Sequence, residues 1–153
     1  MILVDGRTVS DPIDISDLHP DLGSKIRQME IRLTGEGIEI VKTSGARGFL
    51  AQAKLYIAYK HGLSKYPAAA AGTSRHHPFF DGKSGACDLS PVHVTEEVRE
   101  HQKIRMGALA KEIGLVWGGD FAVADNVHFE LPGLDVWQHY MNLMGTLDRQ
   151  RGF

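Results

Sequence analysis

Residues 73–88 read Thr-Ser-Arg-His-His-Pro-Phe-Phe-Asp-Gly-Lys-Ser-Gly-Ala-Cys-Asp, and residues 125–130 read Asp-Asn-Val-His-Phe-Glu. These two stretches concentrate histidines and carboxylates. His76 or His77, Asp88 and His128 make a facial set of two imidazoles and one carboxylate. That is the donor set of a zinc site that keeps water in its fourth position. Asp125, three residues before His128, is placed to act on such a water as a base. The local pattern suggests a small zinc hydrolase.

Both stretches contain predicted strands. Over 85–89, alternation sends Ala86 and Asp88 to one face and Cys87 and Leu89 to the other. Asp88 then points into the site, Ala86 leaves room beside it, and Cys87 packs as a small hydrophobe. Residues 115–117 and 127–131 read as two strands joined by a loop. This places His128 on a rigid element, turns Phe129 into the core and returns Glu130 to the His128 side.

Helices are predicted around these strands. The first starts after Ser16 or Asp17, carries Leu18, Leu22, Ile26, Met29 and Leu33 on one face, and ends at Gly35 and Gly37. A strand over 37–43 follows. A helix over about 47–61 has Phe49, Ala53, Tyr56 and Tyr59 on its inner side and Arg47 in its first turn. A cation there opposes the helix dipole. Arg47 is thus either a plain surface residue or one held to meet a ligand's carboxylate or carbonyl oxygen. Ser90-Pro91 breaks the strand before it. Thr95 caps the next helix, with Glu96 and Glu97 in its first turn. Val98, Ile104, Ala108, Leu109 and Ile113 form its buried side, and Gly114 ends it. A last helix packs Trp137, Tyr140, Met141, Met144 and Leu147 into the core. The start of the chain reads as extended, with turns at Asp5-Gly6 and Asp11-Pro12.

Composition narrows the function classes. At 153 residues with 42% hydrophobic content, the expectation is one globular domain over 1–153 with no second domain. A net charge of −2 offers no bulk attraction for nucleic acid. The single cysteine, Cys87, excludes an internal disulfide. Residues 1–7 lack a signal-peptide pattern, and no segment is apolar for long enough to span a membrane, so synthesis in the cytoplasm is expected. There is no phosphate-binding glycine loop and no His-Glu-x-x-His motif.

Over about 18–131 the chain resembles the M15 peptidases, the family of D-alanyl-D-alanine carboxypeptidases (VanY type) and L-alanyl-D-glutamate endopeptidases. It is most similar to the small phage endolysins of that group. The resemblance runs through Leu-His-Pro-Asp-Leu at 18–22 and Val-Lys-Thr-Ser-Gly-Ala-Arg-Gly at 41–48. It continues through Gln52, Leu55-Tyr56, Ser-Arg-His at 74–76 and Gly-Ala-Cys-Asp-Leu at 85–89. It ends with Gly-Leu-Val-Trp-Gly-Gly-Asp-Phe at 114–121 and Asp-x-x-His-Phe-Glu at 125–130.

The resemblance implies an α+β fold, a small antiparallel sheet flanked by helices of the hedgehog/D,D-peptidase type. It implies Zn2+ held by His76, Asp88 and His128, with Asp125 as catalytic base. Arg47 would bind a substrate oxygen or carboxylate, and Ser74 and Trp117, the latter beside the cleft, would also bind substrate. The Ser-x-His register favours His76 over His77. Two departures stand out. Pro-Phe-Phe-Asp-Gly-Lys at 78–83 lengthens the gap between the first two ligands, making Asp81 a turn residue or a local metal ligand. The base is an aspartate, shorter than glutamate.

Taken singly, His128 reads as a structural histidine, Asp125-Asn126 as a turn and Arg47 as a surface residue. Four elements in the family order decide for the enzyme. The expected activity is cleavage of the peptidoglycan stem peptide, foremost at L-alanyl-D-glutamate, by a monomeric phage endolysin. It would be released by a holin from the host cytoplasm to the periplasm or cell wall. The alternatives are a D-alanyl-D-alanine carboxypeptidase and a non-catalytic murein-binding module of the same fold.

Overall fold

The computed structural model describes residues 12–69, 74–78 and 82–133, together with the backbone of strands β1 (Ile2–Val4) and β2 (Arg7–Val9). The expected last helix (Trp137, Tyr140, Met141, Met144, Leu147), Asp81, the Asp5-Gly6 turn and Asp11 lie outside the described residues.

Helix α1 (Pro20–Gly35) begins with His19 as its cap, whose Nδ1 accepts from the Asp21 amide, and with proline where no amide partner is needed. Its start is later than the apolar spacing suggests. Leu18 belongs instead to a bridge with Ser84. Leu22, Ile26, Met29 and Leu33 are fully buried along one face, as their spacing predicts.

Among the described residues, β3 (Ile40–Ser44), β4 (Ala86–Pro91), β6 (His128–Glu130) and β5 (Val116–Trp117) form one antiparallel sheet in that order. Ser90 and Pro91 lie within β4 and do not break it: Pro91 sits opposite Ile40 in the last register position. Cys87 pairs with Phe129, and with Leu89 they face α1 and α3 (Glu96–Ile113), building the core. A bulge between Lys42 and Ser44 brings Ser44 opposite Asp88 on the other face.

Two helical faces differ from the periodic reading. In α3, Thr95 caps the helix through the Val98 amide and Gly114 ends it in the left-handed region (φ 99°), both as expected. Leu109 is buried as expected, but with Met106, Gly107 and Ala110, while Ala108 is exposed and Val98 and Ile104 are 41% and 61% exposed. The face is set by Gly107, where a Cβ would lie 2.3 Å from the Trp117 ring. The helix offers its smallest residue to the largest ring, which a count of apolar residues cannot register.

In α2 (Phe49–Lys60) the buried residue is Gln52, not Phe49, Ala53, Tyr56 or Tyr59. The helix is apolar on all sides, so periodicity selects no face. Gln52 is buried because both ends of its amide are used: Oε1 accepts from Arg47, and Nε2 donates to the Ala69 carbonyl. Arg47 precedes the N-cap Gly48 and does not occupy the first turn.

The two exceptions make the core testable. Phe129→Ala, at a fully buried position, is expected to cost about 3–5 kcal/mol in denaturant unfolding. Ile104→Ala is expected to change the midpoint by less than about 0.5 kcal/mol's worth.

Candidate metal centre and cleft

The polar face of the sheet carries Asp88 and His128 directly opposite one another, followed by Ala86 opposite Glu130. Cross-strand partners share a face, so two donors come from adjacent strands by register alone. The third comes from outside the sheet. His76 sits in a turn whose first residue, Ser74, accepts from the His76 amide through Oγ and from the His77 amide through its carbonyl. The Arg47 amide donates to the His76 carbonyl at 2.7 Å, and Ser84 Oγ donates to the Arg75 carbonyl. Ser74 thus shapes the turn as well as lining the cleft.

His76, Asp88 and His128 converge. His76 Nε2 lies 3.2 Å from His128 Nδ1 and 3.2 Å from Asp88 Oδ1, and His128 Nδ1 lies 3.5 Å from Asp88 Oδ1. A tetrahedral ion with bonds of 2.0–2.1 Å needs ligand atoms roughly 3.3 Å apart. The other ring nitrogens show which atoms remain for a cation. His76 Nδ1 is 2.9 Å from the Gly45 carbonyl, which can only accept, so this nitrogen donates. His128 Nε2 donates to Glu130 Oε1 at 2.9 Å. Asp88 Oδ1 is buried with no aligned hydrogen-bond partner. Donor set, spacing and this orphaned oxygen all fit a zinc-type cation.

His77 lies outside the cluster. Its Nδ1 donates to the Arg47 carbonyl at 2.8 Å, and its ring stacks on Phe49 at 4.5 Å. Burial pushes its imidazole below the usual range. Cys87, on the opposite face of β4, is fully buried, and burial pushes its thiol up.

The cluster is electrostatically coupled. Burial alone would raise the Asp88 carboxyl, but His128 and His76 more than reverse this and hold it far below the carboxylate range. Burial alone would lower His128, but Asp88 and Glu130 raise it to about 9. Without a cation, a proton on His128 thus offsets the negative charge. Asp125 moves the opposite way to Asp88: burial, then the Asp88 charge, raise its carboxyl. Two carboxylates on one wall are pushed apart, the arrangement that separates a charge holder from a proton acceptor.

A cleft of about 580 Å³ opens over the cluster, and Arg47, Ser74 and Asp125 all line it. Arg47 is braced by Gln52 Oε1 and Ser44 Oγ and lies 3.6 Å from Asp88 Oδ2. Trp117 does not line the cleft. Its indole packs against Gly107 and Gly119, and its Nε1 donates to the Asn126 carbonyl. It supports the Asp125 turn from behind. Gly118 lets that turn approach, since a Cβ there would lie 2.2 Å from the Asp125 carbonyl.

Sequence reasoning assigned no role to Gly45 or Glu130. Gly45 acts through its carbonyl, which no side-chain pattern reveals. Its signal is steric, because a Cβ would lie 2.1 Å from Asp17 Oδ2, which accepts from the Ala46 amide. Glu130 was visible as alternation in His-Phe-Glu and as the end of the 125–130 motif, with no role attached.

No family model matches the chain, and no curated protein matches it in sequence. Solved structures do match. DacB from Streptococcus pneumoniae aligns with a TM-score of 0.57 at 19% identity, over 90% of this chain and 78% of that one. The LD-carboxypeptidase LdcB aligns at 0.57 and 22% identity, over 89% and 76%. The vancomycin-resistance D,D-pentapeptidase VanY from a VanB-type cassette, solved in complex with Zn(II), aligns at 0.59 and 13% identity, over 91% and 88%. The chain has the fold of these M15-type peptidases: helices around a small antiparallel sheet.

Two measurements check the cluster. His76→Ala is expected to lose zinc on dialysis while His77→Ala retains it; equal retention would exclude His76 as a donor. Zinc uptake at pH 7 in weak buffer is expected to release a proton. His128, raised to about 9, is protonated there without metal and must give up its Nδ1 proton to bind.

Proposed function

We propose that this chain is a zinc-dependent peptidase of bacterial peptidoglycan that cuts the stem peptide at the L-alanyl-D-glutamate bond, as a phage endolysin. The observation that carries the metallopeptidase reading is the convergence of His76 Nε2, Asp88 Oδ1 and His128 Nδ1 in a cleft that Asp125 and Arg47 also line. The choice of bond and the lytic role rest on the resemblance to small phage endolysins in 41–48, 74–88 and 114–130. Release by a holin and action at the cell wall belong to the same reading. Among the described residues no helix is long and apolar enough to cross a membrane.

His76, Asp88 and His128 would hold the zinc, which would supply Lewis acidity for the amide carbonyl and acidify a water. Asp125 takes the water proton on a carboxylate oxygen and passes it to the departing amine nitrogen. Its raised pKa suits proton transfer in both directions. Arg47, already oriented by Gln52 and Ser44, aligns the peptide by charge-assisted hydrogen bonds to a carboxylate or carbonyl oxygen. His76, Asp88 and His128 hold position throughout.

A second reading has its own support. LdcB is named as an LD-carboxypeptidase, and VanY of the VanB type was solved with D-alanine-D-alanine, which favours removal of a terminal D-alanine. The non-catalytic murein-binding reading draws nothing from the cleft, where an acid with a raised pKa stands beside the cluster.

Digestion of purified peptidoglycan followed by mass spectrometry separates these. The endopeptidase exposes D-glutamate amines, whereas the carboxypeptidase releases free D-alanine. Asp125→Ala is expected to lower the rate by about 10²–10⁴-fold with zinc content unchanged. Absence of any product from the zinc-loaded wild type would leave only the binding module.

A further inference from the structure

Glu130 divides its carboxylate between two partners. Oε1 accepts from His128 Nε2 at 2.9 Å, and Oε2 meets Arg75 Nε at 2.7 Å. The side chain is nearly buried, and Ala86 stands opposite it in the β4–β6 register, fully buried and small enough to leave it room. Arg75 is the residue before His76, in a turn outside the sheet.

We propose that Glu130 is a positioning residue for the metal centre. It fixes the His128 tautomer that turns Nδ1 toward His76 and Asp88, and through Arg75 it ties the turn carrying one histidine to the strand carrying the other. The two histidines are therefore held unequally. His76 leans on the neutral Gly45 carbonyl, whereas His128 leans on a carboxylate that is itself paired with a guanidinium. An anionic partner makes the imidazole a stronger donor, and loss of such a partner typically weakens metal binding 10–100-fold. Without Glu130, His128 Nε2 loses the acceptor that holds its proton, and Arg75 loses its ion pair to β6.

This inference rests on the metal-site reading, and the experiment separates the two. Zinc affinity is measured by competition with a chromophoric chelator for wild type, Glu130→Gln, Glu130→Ala and Arg75→Gln. The unfolding midpoint of each metal-free protein is recorded alongside. Imidazole ¹⁵N shifts of the zinc-loaded wild type report which His128 nitrogen is bound.

The expected result is about 10–100-fold weaker zinc binding in both Glu130 variants. A smaller loss is expected in Arg75→Gln, which keeps the bond to His128. The midpoint of the near-isosteric Glu130→Gln stays close to wild type, and His128 is bound through Nδ1 with Nε2 protonated. Unchanged affinity in both Glu130 variants overturns the proposal, as does binding of His128 through Nε2. A loss of affinity that only tracks a matching loss of metal-free stability assigns Glu130 to packing and also overturns it. Failure of the wild type to take up zinc removes the underlying site and the proposal with it.

Discussion

The pairing of β4 with β6 is the constraint on which the rest depends. One register sets Asp88 against His128, Ala86 against Glu130, and Cys87 against Phe129. The first two pairs face the cleft and the third faces the helices. A slip of one residue would send the donors into the core and the core residues into the cleft. Burial of Phe129, Cys87 and Leu89 under α1 and α3 therefore does more than stabilise the sheet. It fixes which way the carboxylate and the imidazole point.

The remaining donor has no such guarantee, and the structure compensates with polar contacts. The turn bearing His76 is fastened to the 44–47 loop through the Gly45 carbonyl, the Arg47 amide and His77 Nδ1. That loop is in turn held by Asp17, which accepts from the Ala46 amide and pairs with Lys42 at 2.6 Å. Asp17 is half-buried; burial would raise its carboxyl, but the Lys42 and Ala46 contacts lower it on balance. The centre thus combines an apolar register on one side with a ladder of hydrogen bonds on the other.

This division explains what could be read in advance. The alternation of Ala86, Cys87, Asp88 and Leu89, and of His128, Phe129 and Glu130, carries both strand and site information, because core and donor residues differ in polarity. The apolar stripe of α1 was legible for the same reason. The face of α3 was not, because it is set by Gly107 receiving Trp117, a matter of shape. The buried side of α2 is marked by a glutamine whose satisfaction depends on Ala69 and Arg47. His76 was separated from His77 only by a family register. In space the two rings point apart, one to Asp88 and His128, the other to Phe49 and the Arg47 carbonyl.

Helix α2 contributes Gln52, Leu55 and Tyr59 to the cleft, yet among its described side chains Gln52 alone is buried, while Leu55 is 43% exposed. Exposed positions of this kind tolerate exchange at little energetic cost. Leu55 on the cleft wall is thereby set apart from the layers that hold the fold, while Gln52 stays tied to Arg47 and Ala69. A change at Leu55 reshapes the cleft at little energetic cost, while Asp88 and His128 stay under the strict demands of packing and register. Such a partition lets the cleft change shape without first loosening the sheet.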